Sequence, residues 1–227
     1  MIKAVLFDMD GVLYDSMPNH VQAWGETASA WGFKAEPEDI YLMEGRTGYS
    51  TIDVFFNQKW GRNATPEEQE TIYNQKSQRF VELNVVAKPM PGALEVLKKV
   101  KQLGLMRIVV TGSGQYTLFE GLDTLFPGFF DKDLIVTAYD VQYGKPDPEP
   151  YLIGLKKANI LPEEAIVIEN APLGIESAVT AGIYTIAVNT GPLPDEILLK
   201  AGAHLLFPSM KALAEAGIWD QLCKSPR

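Results

Sequence analysis

Ala4-Val5-Leu6-Phe7-Asp8-Met9-Asp10-Gly11 decides the fold. Its unbroken apolar run suits a strand buried on both faces of a parallel sheet, and Gly11 lets the backbone turn sharply just beyond the carboxyl end. Open α/β sheets bind ligands at that edge, so Asp8 is expected at a strand tip. If the extended run persists, strand alternation puts Asp8 and Asp10 in phase, and both carboxylates then face one site. One can attack phosphorus while the other moves a proton. An aspartate in such a place also serves as a turn or helix cap, so the rest of the chain must decide.

The 227 residues are 46% hydrophobic and 22% charged, enough for one large domain or two unequal ones without covalent staples. A net charge of −9 disfavours a nucleic-acid or anionic-membrane surface, while leaving room for a local basic pocket. Cys223 is the single cysteine, which excludes an intrachain disulfide and fits a reducing compartment. No apolar run approaches the roughly 20 residues needed to span a bilayer. A cytoplasmic protein is the expectation, with its oligomeric state open and a monomer compatible with the composition.

From Met17 to about Val86 the pattern is helical. Apolar residues recur at helical spacing through residues 20–31 and again through 50–56, and Thr65-Pro66-Glu67-Glu68 starts a further helix with Thr65 as N-cap. The Met90-Pro91-Gly92 turn opens an alternation of strands and helices, with strands expected at 106–111, 134–137, 165–169, 184–188 and 204–207. The fold class is therefore α/β: a Rossmann-like parallel-sheet core carrying an inserted all-helical cap. The core is assigned to residues 1–15 and 87–227 and the cap to 16–86, with hinges near Asp15-Ser16 and Val86-Ala87 and the site between the two parts.

Three later segments bring polar groups to strand ends. Val109-Val110 leads into Thr111-Gly112-Ser113-Gly114, where a hydroxyl and several backbone N–H groups can hold phosphate oxygens. The glycines lack the Lys-Ser/Thr ending of a P-loop and by themselves do not specify a nucleotide. Tyr143-Gly144-Lys145-Pro146-Asp147-Pro148 sets a lysine in a stiff loop, although a solvated loop lysine is the plainer reading. Ala165 to Ile168 ends in Glu169-Asn170, and Asn170 could equally cap the helix that follows.

Together these motifs resemble the haloacid dehalogenase superfamily, and within it the β-phosphoglucomutase-like branch with a helical cap. The resemblance rests on Asp8-x-Asp10 followed by Asp15-Ser16, on Thr111, on Lys145 in Gly-Lys-Pro, on Glu169-Asn170 before Leu173-Gly174-Ile175, and on His20 with Ala23-Trp24. It implies that Asp8 is a nucleophile forming an aspartyl phosphate, that Asp10 is the general acid/base, and that Thr111 and Lys145 hold the phosphoryl group. It also implies Mg²⁺ on Asp8, the Asp10 backbone carbonyl and the Glu169-Asn170 motif. A carboxylate attacking a phosphate needs such help: at about 4 Å and an effective dielectric near 20, two like unit charges repel by about 4 kcal/mol.

One position departs from the family pattern, which usually has an aspartate where this chain has Asn170. An amide oxygen still ligates Mg²⁺ but brings no charge. Glu44, in Glu44-Gly45-Arg46-Thr47-Gly48, is the expected replacement, direct or through water; the alternative is a solvated Glu44 paired with Arg46. In the branch's sugar mutases the matching cap region is basic and holds the second phosphate. Here Arg46 could do so, but Glu44 would repel a bare phosphate unless a metal lies between them. Glu-Gly-Arg-Thr-Gly with Val-Ile-Glu-Asn-Ala-Pro-Leu-Gly looks like the branch's inorganic pyrophosphatases, so pyrophosphate hydrolysis is expected first. β-Phosphoglucomutase or sugar-phosphate phosphatase activity comes next, and a non-catalytic phosphate-binding module is a remote third. His20 is a candidate for control at the hinge or for binding substrate, against an ordinary structural histidine.

Overall fold

The computed structural model describes residues 1–83 and 88–224. Its elements run β1 (Ala4–Phe7), α1 (Met17–Ala30), α2 (Pro37–Leu42), α3 (Gly48–Trp60), α4 (Pro66–Glu82), α5 (Ala93–Gln102), β2 (Met106–Val110), α6 (Tyr116–Leu125) and β3 (Ile135–Val136). They continue with α7 (Glu149–Ala158), β4 (Ala165–Glu169), α8 (Pro172–Thr180), β5 (Tyr184–Val188), α9 (Asp195–Lys200), β6 (Leu205–Phe207), α10 (Met210–Glu215) and α11 (Trp219–Lys224). The strands form one parallel sheet in the order β3-β2-β1-β4-β5-β6. β1 is central, so Asp8 emerges between the tips of β2 and β4.

Alternation along β1 feeds two cores. Val5 and Phe7 pack with Val109, Ile166 and Ile168 beneath α5, α10 and α11, while Ala4 and Leu6 pack with Ile108, Val110 and Val167 against α7 and α8. Each fully buried large apolar side chain contributes roughly 1.5–3 kcal/mol, so the sheet edge that carries the site rests on a rigid base. Gly11 turns the chain at φ +79°, and a Cβ there would overlap the Asn170 side chain. It meets both demands that favour glycine: a left-handed backbone and a close neighbour.

Helices α1 to α4 all lie between β1 and β2 in sequence and share a core of their own, built on Trp24, Phe33, Ile52, Phe55, Phe56 and Ile72. Thr65 caps α4 by accepting from the Glu68 amide, with Pro66 at the first helical position, as its sequence dictates. The way out of the sheet and the way back lie side by side: Asp15 N donates to Lys88 O at 2.9 Å and Met90 N to Leu13 O at 2.8 Å. The expected hinge at Val86-Ala87 lies outside the described residues. Strands expected at 134–137 and 204–207 are shorter, Ile135–Val136 and Leu205–Phe207, because the sheet's outer strands have pairing partners on one side only. No helix among the described residues is long and apolar enough to cross a membrane.

Candidate active site

Asp8 meets a cation supplied wholly by the core. Lys145 Nζ lies 2.5 Å from Asp8 Oδ1 and 2.6 Å from Glu169 Oε1 and donates to the Val110 carbonyl at 3.1 Å, so its three protons are used and only 1% of the residue is exposed. The loop that holds it is pinned by side chains: Glu149 accepts from the amides of Gln142 and Tyr143, Asp147 accepts from the Glu149 amide, and Ser177 donates to the Asp147 carbonyl. The plainer reading of Lys145, a solvated loop lysine, is therefore excluded. Burial opposes the lysine's charge, yet Asp8 and Glu169 hold its pKa above the ordinary value. Asp8, which shares that lysine with a second carboxylate, is pushed up by burial to about 8.

Glu169 corrects an expectation. Its Oε1 accepts from Lys145 and from Tyr151 Oη (3.0 Å), and its Oε2 accepts from the amides of Asn170 (2.8 Å) and Ala171 (3.0 Å). Four donors occupy this fully buried carboxylate, so it anchors Lys145 instead of facing a metal. Asn170 does not cap α8 either, since Ala171 is the N-cap. Its Nδ2 donates to Glu44 Oε1 across the cleft at 2.8 Å, while its Oδ1 is buried without a hydrogen-bond partner among the described residues.

Asp10 is served by a different part of the chain. Ser16 Oγ donates to Asp10 Oδ1, His20 Nε2 lies 3.0 Å from the same oxygen, and Lys76 Nζ lies 2.9 Å from His20 Nδ1. A protonated Lys76 can only donate, and in that state Nδ1 accepts and Nε2 carries the proton toward Asp10. Burial, with Lys76 second, lowers His20 below its usual range, consistent with a neutral ring. Burial alone would raise Asp10; His20 foremost, then Ser16 and Lys76, turn its shift downward. Lys76 itself is 2% exposed, and burial pushes it down to about 7. Sequence reading did not single out Lys76, although it sits midway between Ile72 and Phe80 on the buried face of α4. That interior position was the available signal.

The structure gathers most of the expected residues around one cavity of about 60 Å³, lined by Asp8, Asp10, His20, Glu44, Arg46, Lys76, Thr111, Gly112 and Ser113 among others. Thr111 Oγ1 accepts from the Ser113 amide, which shapes the turn beyond β2. Arg46 donates to Ser50, and its Nε is buried without a partner among the described residues. Glu44 is 9% exposed and bonds Asn170, not Arg46. Burial and then the charge of Asp8 raise Glu44 well above the usual carboxylate range.

These donors fit a hard divalent cation. No group of three or more His, Cys, Asp or Glu side chains converges as a metal cage among the described residues. Mg²⁺ does not need one, because it is held by one or two carboxylates, other oxygens, waters and substrate phosphate. The buried unpaired Asn170 Oδ1 and the raised carboxyls of Asp8 and Glu44 are what such a cation would satisfy.

The geometry places two carboxylates, a fixed lysine and the Thr111–Ser113 turn at the end of a parallel sheet, and residues 2–182 match the family model of the haloacid dehalogenase-like hydrolases. The chain belongs to that family. Among its relatives is the phosphorylated carbohydrates phosphatase of Thermotoga maritima, 32% identical over 208 residues, covering 90% of this chain and 94% of that one. Another is described as "Putative pyrophosphatase PpaX" of Caldanaerobacter subterraneus subsp. tengcongensis, 30% identical, covering 88% of this chain and 87% of that one. A solved structure described as "Putative beta-phosphoglucomutase from Bacteroides vulgatus" is 53% identical with a TM-score of 0.93, covering 98% of this chain and 89% of that one. This haloacid dehalogenase-like hydrolase has structural neighbours described as β-phosphoglucomutases and relatives described as phosphatases of phosphorylated compounds.

Proposed function

We propose that the protein is a Mg²⁺-dependent phosphohydrolase working through an aspartyl phosphate on Asp8, with inorganic pyrophosphate as its preferred substrate. The observation that carries the choice of substrate is Glu44: a buried carboxylate from the cap bonded to Asn170, closing a cavity of about 60 Å³. A carboxylate in that position repels a bare second phosphate but suits a metal-chelated diphosphate, and the small volume suits a compact leaving group.

In this reading Asp8 attacks one phosphorus in line, and the P–O bond to the leaving phosphate breaks. Asp10 gives that phosphate its proton, then takes one from the water that hydrolyses the acyl phosphate and so regenerates the Asp8 carboxylate. Lys145 holds charge beside the nucleophile, and Glu169 with Tyr151 holds Lys145. Thr111, Gly112 and Ser113 receive the phosphoryl oxygens. Lys76 and His20 orient Asp10, and Arg46 faces the departing group. Asp8, the Asp10 carbonyl, Asn170 and Glu44 would hold Mg²⁺, which supplies positive charge against the repulsion of anion by anion. Residues 16–86 act as the cap and 1–15 with 87–227 as the core, in a cytoplasmic setting.

A second reading, dephosphorylation or mutation of a sugar phosphate, is favoured by a groove of about 1350 Å³ that shares Arg46, Gly48 and Tyr73 with the cavity. A sugar could occupy it with the cap open. Phosphate release from Mg²⁺-pyrophosphate, measured beside β-glucose 1-phosphate and other sugar phosphates with Asp8→Asn as blank, separates the two. Preference for pyrophosphate supports the first reading; efficient formation of glucose 6-phosphate with little pyrophosphate turnover replaces it with the second.

A further inference from the structure

Two glycines of the core lie hard against the cap. Gly112 follows Thr111 at the tip of β2, and Gly144 precedes Lys145. Neither has a left-handed φ, so the backbone at both positions would accept alanine without strain. A Cβ on Gly112 would nonetheless overlap the carbonyl oxygens of Gly45 and Arg46. One on Gly144 would lie 2.7 Å from Thr47 Cγ2 and 3.0 Å from the Thr47 amide nitrogen. The nearest atoms in both cases belong to cap residues 45–47. On the opposing surface Gly45 has a left-handed φ of +92°, which favours glycine by itself, and a Cβ there would also lie 3.0 Å from Lys145 Cδ.

We propose that Gly112 and Gly144 form a seat that fixes how deeply cap loop 44–47 closes on the core, and that this depth selects phosphoryl compounds with a compact leaving group. The inference deepens the pyrophosphatase reading and rests on it for the identity of the compact substrate. Glu44 adjoins Gly45, so a seam propped open by one methyl group withdraws Glu44 from Asn170. Asp8, Lys145 and Glu169 belong to the core and stay in place. A substrate that reacts only under the fully closed cap loses its fit, since a misplacement near 1 Å can cost about 10²-fold in rate. A bulky ester, which needs the seam open, loses little or gains.

The test compares kcat/KM for pyrophosphate and for hydrolysis of β-glucose 1-phosphate in the full chain with Mg²⁺. Its variants are Gly144→Ala, Gly112→Ala, Thr47→Ser and the double variant Gly144→Ala with Thr47→Ser. Thr47→Ser removes the methyl group that the Cβ added by Gly144→Ala would strike and keeps the hydroxyl that accepts from the Ser50 amide at the start of α3. Gly144→Ala and Gly112→Ala are each expected to lower the ratio of pyrophosphate to sugar-ester kcat/KM by about tenfold or more, with thermal unfolding unchanged. Thr47→Ser should leave that ratio near the parent value by itself and restore most of it beside Gly144→Ala. An unchanged ratio in both alanine variants, whether both substrates fall together or neither falls, overturns the proposal, and so does failure of Thr47→Ser to restore it. A parent enzyme that prefers the sugar ester refutes pyrophosphate as the substrate, while the seat is still decided by the shift in ratio between parent and variants.

Discussion

Asp8 and Asp10 are two residues apart in sequence yet are held by different halves of the molecule. Asp8 is paired with Lys145, which Glu169 and Tyr151 anchor, all from the core. Asp10 is reached by Ser16 and His20 at the start of α1, with Lys76 of α4 behind His20. The first arrangement is built into the sheet and its loops; the second is complete only with the cap in place. Their electrostatics differ too, with Asp8 pushed up by burial and Asp10 lowered below its ordinary value by its partners despite burial. In the proposed mechanism the nucleophile's cation thus stands ready, while proton transfer is conditional on the cap.

The largest effect expected is on the core side. Asp8→Asn should lower turnover by roughly 10⁴-fold or more, as loss of a nucleophile does, in a phosphate-release assay. The same variant should be no less stable than the parent in chelator, and the sign follows from linkage. A carboxyl raised from 3.8 to about 8 binds more protons folded than unfolded, so its contribution is present at low pH and lost as pH rises through that window. Melting temperatures of parent and variant should therefore diverge in the variant's favour on going from pH 4 to pH 8.

Lys145→Ala should cost both activity and about 3–5 kcal/mol of stability, because it leaves Glu169 and Asp8 buried without their cation. Urea unfolding would measure it. A loss under about 1 kcal/mol would show that water takes the lysine's place.

On the cap side, Lys76→Met should lower kcat by about 10²-fold, within the range general acid–base catalysis supplies, and leave Mg²⁺ activation intact. Its pH signature runs opposite to that of Asp8. Lys76 is lowered from 10.5 to about 7, so the unfolded chain binds the extra proton between those values and stability rises with pH across them. Lys76→Met should abolish that rise in thermal melts between pH 7 and pH 10. Equal slopes in parent and variant would mean that Lys76 is solvated.

Glu44→Gln should have the smallest effect, raising the Mg²⁺ concentration for half activation by about tenfold while Asp8→Asn remains the inactive blank. An unchanged Mg²⁺ requirement would remove Glu44 from the metal site.

The core-side half was the more legible in the sequence. Asp8 and Thr111 each follow an apolar strand, Glu169 ends one with Asn170 just beyond it, and Lys145 sits in a proline-bound loop, so strand-end position announced them. Glu169 was legible in place but not in role, because its donors are backbone amides and Tyr151, which no local pattern connects to it. Lys76 was hidden for a different reason: a lysine in a polar helix reads as solvated unless its place between Ile72 and Phe80 is given weight. The alternation of strands and helices was readable, but the order β3-β2-β1-β4-β5-β6 was not, since pairing between strands is decided by crossovers and not by periodicity.

The proposed mechanism requires that Asp8 become phosphorylated. Rapid acid quench of the enzyme turning over ³²P-labelled pyrophosphate with Mg²⁺, followed by peptide mapping, tests it directly. The expected result is acid-stable, hydroxylamine-labile label on the peptide containing Asp8, with neither label nor turnover in Asp8→Asn. Turnover that survives in Asp8→Asn, with no label at residue 8 in the parent, would contradict it.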